Sequence, residues 1–307
     1  MPKADAPNAL YYGDNLIVLR EREFFPDECV DLIYLDPPFN SKRDYNLLFK
    51  SPAGINSEAQ IEAFEDSWHW NAQAEREFDE LLHQANTDVS EIMQALRSFL
   101  GENDMMAYLT MMANRLLELH RVLKPNGAIY LHCDPTASHY LKIVMDGVFG
   151  RSRLENEIIW CYKRYTAVAN RFQRLHDVIL FYSKTDEMRF NQLFEEYGKK
   201  SGKMDSHYKQ ESDGRWFRWQ KRKGKEPYKI YLSEGVRQGD WWEIPIINAS
   251  SKERLGYPTQ KPLALLERII EASSNENDIV LDPFCGCGTA VHAAQKLNRR
   301  WIGIDIN

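Results

Sequence analysis

The stretch VLDPFCGCGTA, residues 280–290, carries the most informative pattern in the carboxyl-terminal part of the chain. An apolar strand ends at Asp282, Gly286 and Gly288 form a turn, and a helical pattern begins at Thr289. Glycines in such a turn let a ligand approach the backbone, and the first amide groups of the helix point toward that ligand. The lysine of a phosphate-binding loop is missing, so the stretch predicts a turn for a nucleotide-like cofactor, with a plain strand-turn-helix connection as the alternative.

A second motif, LDPPFN at residues 35–40, follows the apolar run CVDLIYL. The two prolines end this strand and leave Asp36 at the break, with Phe39 just beyond it. Each proline fixes its own φ and restricts the residue before it, so the carbonyl of Pro37 is held beside the carboxylate. The motif therefore holds a carboxylate, a carbonyl and an aromatic ring together at the end of a strand, and a turn acid followed by a core aromatic ring is the structural alternative.

Apolar runs alternate with segments of helical spacing along most of the chain, which predicts an α/β fold. We assign residues 1–183 and 252–307 to a catalytic domain and the acidic, polar stretch at about 51–103 to an insertion within it. Periodicity is lost in residues 184–251, where the composition becomes basic and aromatic. This segment is predicted to be a smaller inserted module.

Composition narrows the class of protein. A chain of 307 residues with 43% hydrophobic residues can bury a sizeable core, and it has neither an apolar run of membrane-spanning length nor a signal peptide. The five cysteines lack paired spacing, so reduced thiols and no metal site are expected. The net charge is −6, yet residues 196–229 contain 11 Lys and Arg against five Asp and Glu, so basic charge is concentrated there.

The late Asp-Pro-Phe-x-Gly-x-Gly-Thr together with the early Asp-Pro-Pro-Phe resembles the beta group of S-adenosylmethionine-dependent DNA amino-methyltransferases. The similarity extends to GDNLIVL, to the block from AYLTMM to LHCD, to VILFYSK and to GYPTQKPLALLERII. It implies a Rossmann-like mixed sheet flanked by helices, a circularly permuted motif order and an inserted DNA-recognition module. Family members usually add a helix after the acid that matches Asp305, whereas the sequence ends at Asn307.

The resemblance implies S-adenosylmethionine as the cofactor. Asp305 would accept hydrogen bonds from the ribose hydroxyls and Asp14 would lie near the adenine, with a helix N-cap as the alternative for Asp14 and a surface lysine for Lys261. The residues expected to bind the cofactor are Asp14, Asp36, Thr259, Lys261, Pro262, Asp282, Pro283, Phe284, Gly286, Gly288, Thr289 and Asp305.

The resemblance also implies that the target base is flipped out of the duplex. Asp36, Pro37, Pro38 and Phe39 are the expected catalytic residues, and Phe39 would stack on the extruded base. A second stacking ring is expected from a basic, aromatic loop that contains Tyr162, Tyr165 and Phe172, with Phe172 preferred and Tyr165 next.

Double-stranded DNA is the expected partner, and a homodimer and a cognate restriction endonuclease are further partners that the resemblance suggests. The acidic insertion would repel DNA, so we expect it on the far side of the protein or in a subunit contact. A cytoplasmic location in a bacterial, archaeal or phage-infected cell is expected, with no membrane contact. The residues expected to contact DNA are Arg164, Arg171, Arg174, Arg215, Arg218, Lys221, Arg222 and Lys223.

Methylation of adenine N6 is the leading functional prediction, because the motif begins with Asp where many cytosine-N4 enzymes have Ser. Cytosine N4 is the alternative within the class. Methylation of RNA or of a protein glutamine, and a non-catalytic DNA-binding subunit, are the remaining hypotheses.

Overall fold

The computed structural model describes residues 8–38, 43–47, 61–66, 68–164, 170–195, 208–222, 224–231 and 236–306, with the backbone alone for 43–47, 61–66 and 236. The chain forms two compact units, which we call the main unit (1–190 and 240–307) and the basic unit (191–239). The helices and strands follow in the order β1 (Ala9–Tyr12), α1 (Asn15–Arg20), β2 (Val30–Leu35), β3 (Arg43–Leu47), β4 (Ile61–Asp66), α2 (Ala72–Leu82), α3 (Thr87–Leu100), α4 (Asp104–Val122), β5 (Leu123–Cys133), α5 (Ser138–Phe149), β6 (Leu154–Cys161), β7 (His176–Ser183), β8 (Phe194–Glu195), β9 (Lys209–Gln210), β10 (Trp216–Gln220), β11 (Tyr228–Tyr231), β12 (Val236–Arg237), β13 (Trp241–Glu243), α6 (Leu263–Ser273), β14 (Ile279–Asp282), α7 (Thr289–Lys296) and β15 (Arg300–Asp305).

The main unit is built on a mixed sheet of eight strands in the order β1-β15-β14-β2-β5-β7-β6-β13. The first five are mutually parallel, β7 runs antiparallel to both β5 and β6, and β13 is parallel to β6. The first and the last strands of the chain are therefore neighbours, as the permuted motif order predicts. The predicted fold class, a mixed sheet flanked by helices, is confirmed.

Both faces of this sheet are buried. Along β2, Ile33 and Leu35 pack into one apolar cluster with α1 to α5, whereas Leu32 and Tyr34 pack into a second cluster with α6 and α7. A parallel strand that is covered on both faces has no polar side, which explains why VDLIYL is an almost continuous apolar run.

The segment KPNG, residues 124–127, contains a proline and a glycine, which favour a turn between the helix before it and the strand after it. The helix α4 does end at Val122. However, KPNG itself belongs to β5, which begins at Leu123 opposite Val30 and continues past an irregularity in the pairing. Pairing with β2 extends this strand through a proline and a glycine that local propensity alone assigns to a turn.

A buried ion pair joins three strands at their amino-terminal ends. The ammonium group of Lys124 in β5 lies 2.8 Å from both carboxylate oxygens of Asp31 in β2. The same carboxylate accepts a hydrogen bond of 2.9 Å from the backbone amide of Ile279, the first residue of β14. Asp31 is thereby paired and hydrogen-bonded, as a buried charge requires.

Four aspartates of the predicted site lie at the opposite edge of the sheet. Because β1, β15, β14, β2 and β5 are parallel, their carboxyl ends meet at one edge. Asp14 follows β1 after one glycine, Asp36 directly follows β2, and Asp282 and Asp305 are the last residues of β14 and β15.

The acidic segment at 51–103 is partly integrated into the main unit. Phe78 of α2 and Met93 of α3 belong to the main apolar cluster, and an asparagine caps the start of each helix. The basic unit begins and ends at different positions from those expected for the inserted module. Residues 240–251 lie in the main unit, where β13 extends the sheet beside β6.

The basic unit contains the antiparallel sheet β11-β10-β9 and the antiparallel pair β12-β8. Along β10, Phe217 and Trp219 alternate with Trp216, Arg218 and Gln220, so the two sets occupy opposite faces of this sheet. Within the described part of the chain, no helix is both long and apolar enough to cross a membrane.

Gly127 offers a test of the packing between β2 and β5. A Cβ atom there would lie 2.8 Å from the backbone oxygen of Asp31 and closer still to the side chain of Leu123. Because the backbone oxygen cannot move without disturbing the strand, Gly127→Ala should lower the free energy of unfolding by about 1–3 kcal/mol in urea titrations. Gly239→Ala, where a Cβ atom meets nothing within 4 Å, is the control and should change it far less. Equal effects of the two variants would contradict this packing.

Candidate active site

A cavity of about 660 Å³ opens at the carboxyl edge of the sheet. Both sequence motifs contribute to its wall, although they are separated by more than two hundred residues in the chain. Pro262 and Gly288 were expected to bind the cofactor but are not part of the wall; they precede α6 and α7 as the N-cap residues. The expected residues that line the cavity are Asp14, Asp36, Pro37, Pro38, Thr259, Lys261, Asp282, Pro283, Phe284, Gly286, Thr289 and Asp305.

The glycine turn after β14 has the backbone conformation that its sequence predicts. Gly286 and Gly288 have φ values of 51° and 79°, a region that side chains disfavour. The amide of Gly286 donates a hydrogen bond of 2.5 Å to a carboxylate oxygen of Asp305, so the turn is fastened to the end of β15. A Cβ atom on Gly286 would also lie 3.2 Å from the ring of Tyr257 on the facing wall.

Asp36 is held by a lysine from the opposite side of the cavity. The ammonium group of Lys261 lies 2.5 Å from one carboxylate oxygen of Asp36 and 3.4 Å from the backbone oxygen of Thr259. Both charged side chains are largely buried, with 15% of Asp36 and 11% of Lys261 exposed. Lys261 is therefore not an ordinary surface lysine, and its positive charge compensates the Asp36 carboxylate.

Asp282 lies deeper in the cavity. Burial raises the pKa of its carboxyl group to about 8; the amide of Phe284 opposes this shift, whereas the neighbouring charges of Asp36 and Asp305 add to it. The cause is desolvation, since a buried carboxyl group without a counter-ion prefers its neutral form.

Asp14 caps a helix, and its contact with the adenine of the cofactor stays a prediction. Its side chain caps α1 by accepting from the amide of Leu16 at 2.7 Å, and it also lines the cavity. Arg115 donates to both of its carboxylate oxygens at 3.1 Å and to the side chain of Asn15 at 2.6 Å. Asn15 in turn donates to the carbonyl of Pro283 at 2.7 Å, which links the cap to the cofactor turn.

Sequence reasoning missed Arg115, although a signal exists. It lies within the apolar run MMANRLL of α4, and only 6% of its surface is exposed. A buried arginine requires an acidic or hydrogen-bonding partner. That requirement predicts a partner, but only the fold identifies it as Asp14.

The acidic insertion does not lie wholly on the far side of the main unit. Trp68, Asn71, Gln73 and Glu77 line the same cavity, at the start of α2. Negative charge in this segment therefore faces a small-molecule site, which overall composition cannot reveal.

The two described candidates for base stacking, Tyr162 and Phe172, do not line the cavity. Phe39 and Tyr165 lie outside the described residues, and Phe172 is 98% exposed and absent from the cavity wall. Tyr162 packs against Trp160 and donates its hydroxyl hydrogen to Asp177. Beside this loop, Arg164, Arg171 and Arg174 are exposed.

The cationic side chains of the basic unit fall into two groups. Arg215 pairs with Asp213 at 2.7 Å and lies over the ring of Tyr231, and Lys229 pairs with Glu211. Arg218 and Arg222 instead lie over the rings of Tyr208 and Tyr228, and no acidic side chain among the described residues forms an ion pair with either of them. Lys221 is exposed, and Lys223 lies outside the described residues.

Comparison with known proteins identifies the family. The model of the N6/N4 DNA methylase family matches residues 30–307. The chain belongs to the DNA methylase family.

Two curated relatives show how much of each protein is shared. The Type II methyltransferase M.EcaI of Enterobacter cloacae is 28% identical over 97% of this chain and 66% of its own length. The DNA adenine methyltransferase YhdJ of Escherichia coli K12 is 27% identical over 97% of this chain and 78% of its own length. The chain spans about half to two thirds of the length of the first curated relatives that it matches.

Among solved structures, the cytosine-N4-specific PvuII DNA methyltransferase has the same fold, with a TM-score of 0.56 and 14% identity over 98% of this chain and 82% of its own. The DNA methylase cofactor is S-adenosylmethionine, and a solved structure of this fold carries it. The cavity fits this molecule, because it has the volume of a ligand site and its carboxylates suit a sulfonium cation, hydroxyl groups and an amino group.

Asp282 should make stability depend on pH. The folded protein keeps the proton of this carboxyl group up to about pH 8, whereas the unfolded chain loses it near 3.8, the ordinary pKa of an aspartate side chain. Between these values the unfolded chain binds fewer protons, so the free energy of unfolding falls as pH rises, by up to about 1.4 kcal/mol per pH unit. Above pH 8 this dependence ends.

Asp282→Asn removes the titrating group and should therefore flatten this part of the profile. Urea titrations at several pH values between about 5 and 8 measure the effect. The exposed Asp88→Asn is the control and should keep the wild-type slope. An unchanged slope in Asp282→Asn would show that the carboxyl group ionises normally in the folded protein.

Proposed function

We propose that this chain transfers the methyl group of S-adenosylmethionine to the exocyclic N6 amino group of a flipped adenine in duplex DNA. The observation that carries the proposal is the shared cavity: the Asp36-Pro37-Pro38 motif and the glycine turn at 282–289 form walls of one site. Family membership supports the reaction class.

An exocyclic amino nitrogen is a weak nucleophile because its lone pair is delocalised into the ring of the base. The Asp36 carboxylate and the Pro37 carbonyl are two acceptors that can each take one amino hydrogen. Hydrogen bonds to both draw the nitrogen toward tetrahedral geometry and direct its lone pair into the cavity. The prolines fix this arrangement before the base arrives, and such positioning contributes on the order of several kcal/mol to catalysis.

The cofactor, when bound, supplies an electrophilic methyl group on a sulfonium centre. The residues that would hold it span the carboxyl edge: Asp305 for the ribose hydroxyls, Asp14 for the adenine, and the turn at Gly286 for the methionine portion. The carboxylates of Asp36 and Asp305 in the cavity wall favour a cationic ligand over a neutral one.

The base must leave the duplex to reach Asp36, at a cost of a few kcal/mol. Phe39 is the expected stacking partner next to the carboxylate. Phe172 is exposed, which leaves its ring accessible to a base, and the exposed Arg164, Arg171 and Arg174 suit the flanking phosphates.

Adenine is preferred over cytosine because the motif begins with Asp and because YhdJ, named as a DNA adenine methyltransferase, aligns with nearly the whole chain. Cytosine N4 is the second candidate, since the family includes both reactions. The name of M.EcaI as a Type II methyltransferase supports a cognate restriction endonuclease as a partner, and a homodimer remains a prediction.

The basic unit is the proposed target-recognition module. In this unit the charges of Arg215 and Lys229 are already compensated by acidic neighbours. Arg218 and Arg222 are the better candidates for DNA, because their guanidinium groups lie on aromatic rings that hold them without neutralising their charge.

Asp36→Ala tests the catalytic assignment. The variant and the wild type are incubated with methyl-labelled S-adenosylmethionine and unmethylated duplex DNA of mixed sequence, and the digested nucleosides are analysed by mass spectrometry. The wild type should yield labelled N6-methyladenine, and Asp36→Ala should lose at least about 10²-fold in rate because the amino group loses its acceptor. Labelled N4-methylcytosine would instead support the same methyl transfer but contradict adenine as the target base.

Calorimetry with S-adenosylmethionine separates catalysis from binding, and Asp36→Ala should still bind the cofactor. The exposed Asp186→Ala is the matched control and should behave as the wild type in both assays. Wild-type turnover by Asp36→Ala would contradict the proposed mechanism, and label in RNA as readily as in duplex DNA would contradict the substrate.

Arg218→Ala tests the DNA contact of the basic unit, with Arg215→Ala as its matched control. Losing one phosphate contact should weaken binding to duplexes of any sequence and lower the slope of log affinity against log salt by about one. Arg215→Ala should leave this slope nearly unchanged, because its charge is compensated by Asp213. Fluorescence anisotropy of labelled duplexes measures both quantities, and a larger loss in Arg215→Ala would overturn the assignment.

A further inference from the structure

A chain of buried polar side chains leads away from Asp36 along the carboxyl edge of the sheet. Nδ1 of His132 lies 3.8 Å from the Asp36 carboxylate and 3.1 Å from the hydroxyl oxygen of Tyr34. Nε2 of His132 lies 3.3 Å from Asp177, whose other carboxylate oxygen accepts from the hydroxyl of Tyr162 at 3.1 Å. This series of polar side chains begins at Oδ1 of Asp36, whereas Lys261 pairs with Oδ2.

The fold brings these groups together at the ends of neighbouring strands. Tyr34 lies in β2, and Asp36, two residues further on, directly follows this strand. His132 is the second-last residue of β5, Asp177 is the second residue of the antiparallel β7, and Tyr162 directly follows β6. No local sequence pattern would select His132, because it lies inside the apolar strand AIYLHC.

His132 has no exposed surface, and the edge of its ring packs against Trp160 with centroids 5.4 Å apart. Burial favours the neutral form of Asp177, but the hydrogen bond from His132, the positive charge of His132 when it is protonated, the charge of Lys261 and the hydrogen bond from Tyr162 prevail and lower its pKa. Asp177 is therefore an ionised acceptor, which requires that Nε2 of His132 carries a hydrogen.

That requirement leaves Nδ1 of the neutral imidazole as an acceptor facing the active site. Burial raises the pKa of Tyr34 well above its usual value, and the nearby charges of Asp36, Asp282 and Asp177 add to this effect. Tyr34 thus keeps its proton and donates to Nδ1. A basic nitrogen accordingly points toward the candidate catalytic carboxylate.

We propose that His132, oriented by Asp177, receives through Asp36 the proton that the amino group releases on methylation. This inference rests on the proposed function, which supplies the proton. When the amino nitrogen forms its new bond to carbon, one N–H bond breaks, its electron pair stays on nitrogen, and the proton goes to the nearer Asp36 oxygen. The proton then passes to Nδ1 of His132, and Asp36 regains its charge.

The resulting imidazolium lies between two carboxylates, Asp36 and Asp177, which stabilise the buried positive charge. The hydroxyl of Tyr34 turns and accepts from Nδ1–H. When the methylated base leaves and water enters the cavity, the proton returns by the same route. Among the described residues, other ionisable groups near these side chains include Lys261, which pairs with the second oxygen of Asp36, Asp282 near Tyr34, and Arg164 and Asp134 near Tyr162. His132 acts through Asp36 and is a positioning residue rather than a catalytic one.

His132→Gln tests the relay, because glutamine can hydrogen-bond to Asp177 but cannot take up a proton. Under single-turnover conditions with saturating cofactor and DNA, the rate of label transfer should fall about 10²-fold, the range for loss of a proton-transfer group. Cofactor affinity by calorimetry should stay within about twofold, since His132 does not line the cavity. Asp177→Asn, which removes the ionised partner of His132, should also slow transfer.

His120→Gln is the matched control, because it makes the same substitution at a histidine that packs against Phe149 and does not line the cavity; its rate should stay close to that of the wild type. A wild-type rate in His132→Gln, or an equal loss in His120→Gln, would overturn the proposal.

A second readout needs no turnover. In the protein with ¹⁵N-labelled histidine, nitrogen chemical shifts should report that His132 carries its hydrogen on Nε2 in the wild type and loses this preference in Asp177→Asn. A hydrogen on Nδ1 in the neutral wild type would overturn the relay even if transfer is observed. The transfer assay counts the total label on DNA, so it does not depend on whether the methylated base is adenine or cytosine. If the wild type transfers no label at all, the proposed function fails, and the relay is not the cause.

Discussion

Four carboxylates converge at one edge of the sheet, and each is compensated in a different way. Parallel neighbours β1, β2, β14 and β15 bring Asp14, Asp36, Asp282 and Asp305 to the same cavity, where burial strengthens their mutual repulsion. Arg115 pairs with Asp14, and Lys261 pairs with Asp36. Asp282 keeps its proton, and the amide of Gly286 binds Asp305. The site is thus prepared for a cationic ligand without being filled by counter-ions.

The ion pairs of Arg115 and Lys261 also link distant parts of the chain. Arg115 belongs to a helix that packs on one face of the sheet, while Lys261 precedes a helix on the other face. The cavity wall therefore depends on both layers of helices and on both ends of the sequence. The circular order of the motifs is compatible with this arrangement, because β1 pairs directly with β15.

Local patterns were sufficient to predict most strands and helices of the main unit and the two motifs at their ends. The run VDLIYL before Asp36 and the glycines after Asp282 are local signals, since strand burial and turn geometry act over a few residues. Arg115 and His132 have no such signal, because their roles depend on Asp14 and Asp36, which are about a hundred residues away in the chain. The integration of residues 68–82 into the cavity and core was missed because acidic composition indicates solubility but not which surface a segment faces. In the basic unit, composition predicted the positive charge, but pairing of Arg215 with Asp213 and of Lys229 with Glu211 could only be recognised in the fold.

A crystal structure of the chain with S-adenosylmethionine would test most directly whether the two motifs form one site. The account predicts that the cofactor extends across the carboxyl edge, with its ribose hydroxyls on Asp305 and its methyl group directed toward Asp36 and Pro37. A cofactor bound outside this cavity, or one whose methyl group points away from Asp36, would contradict it.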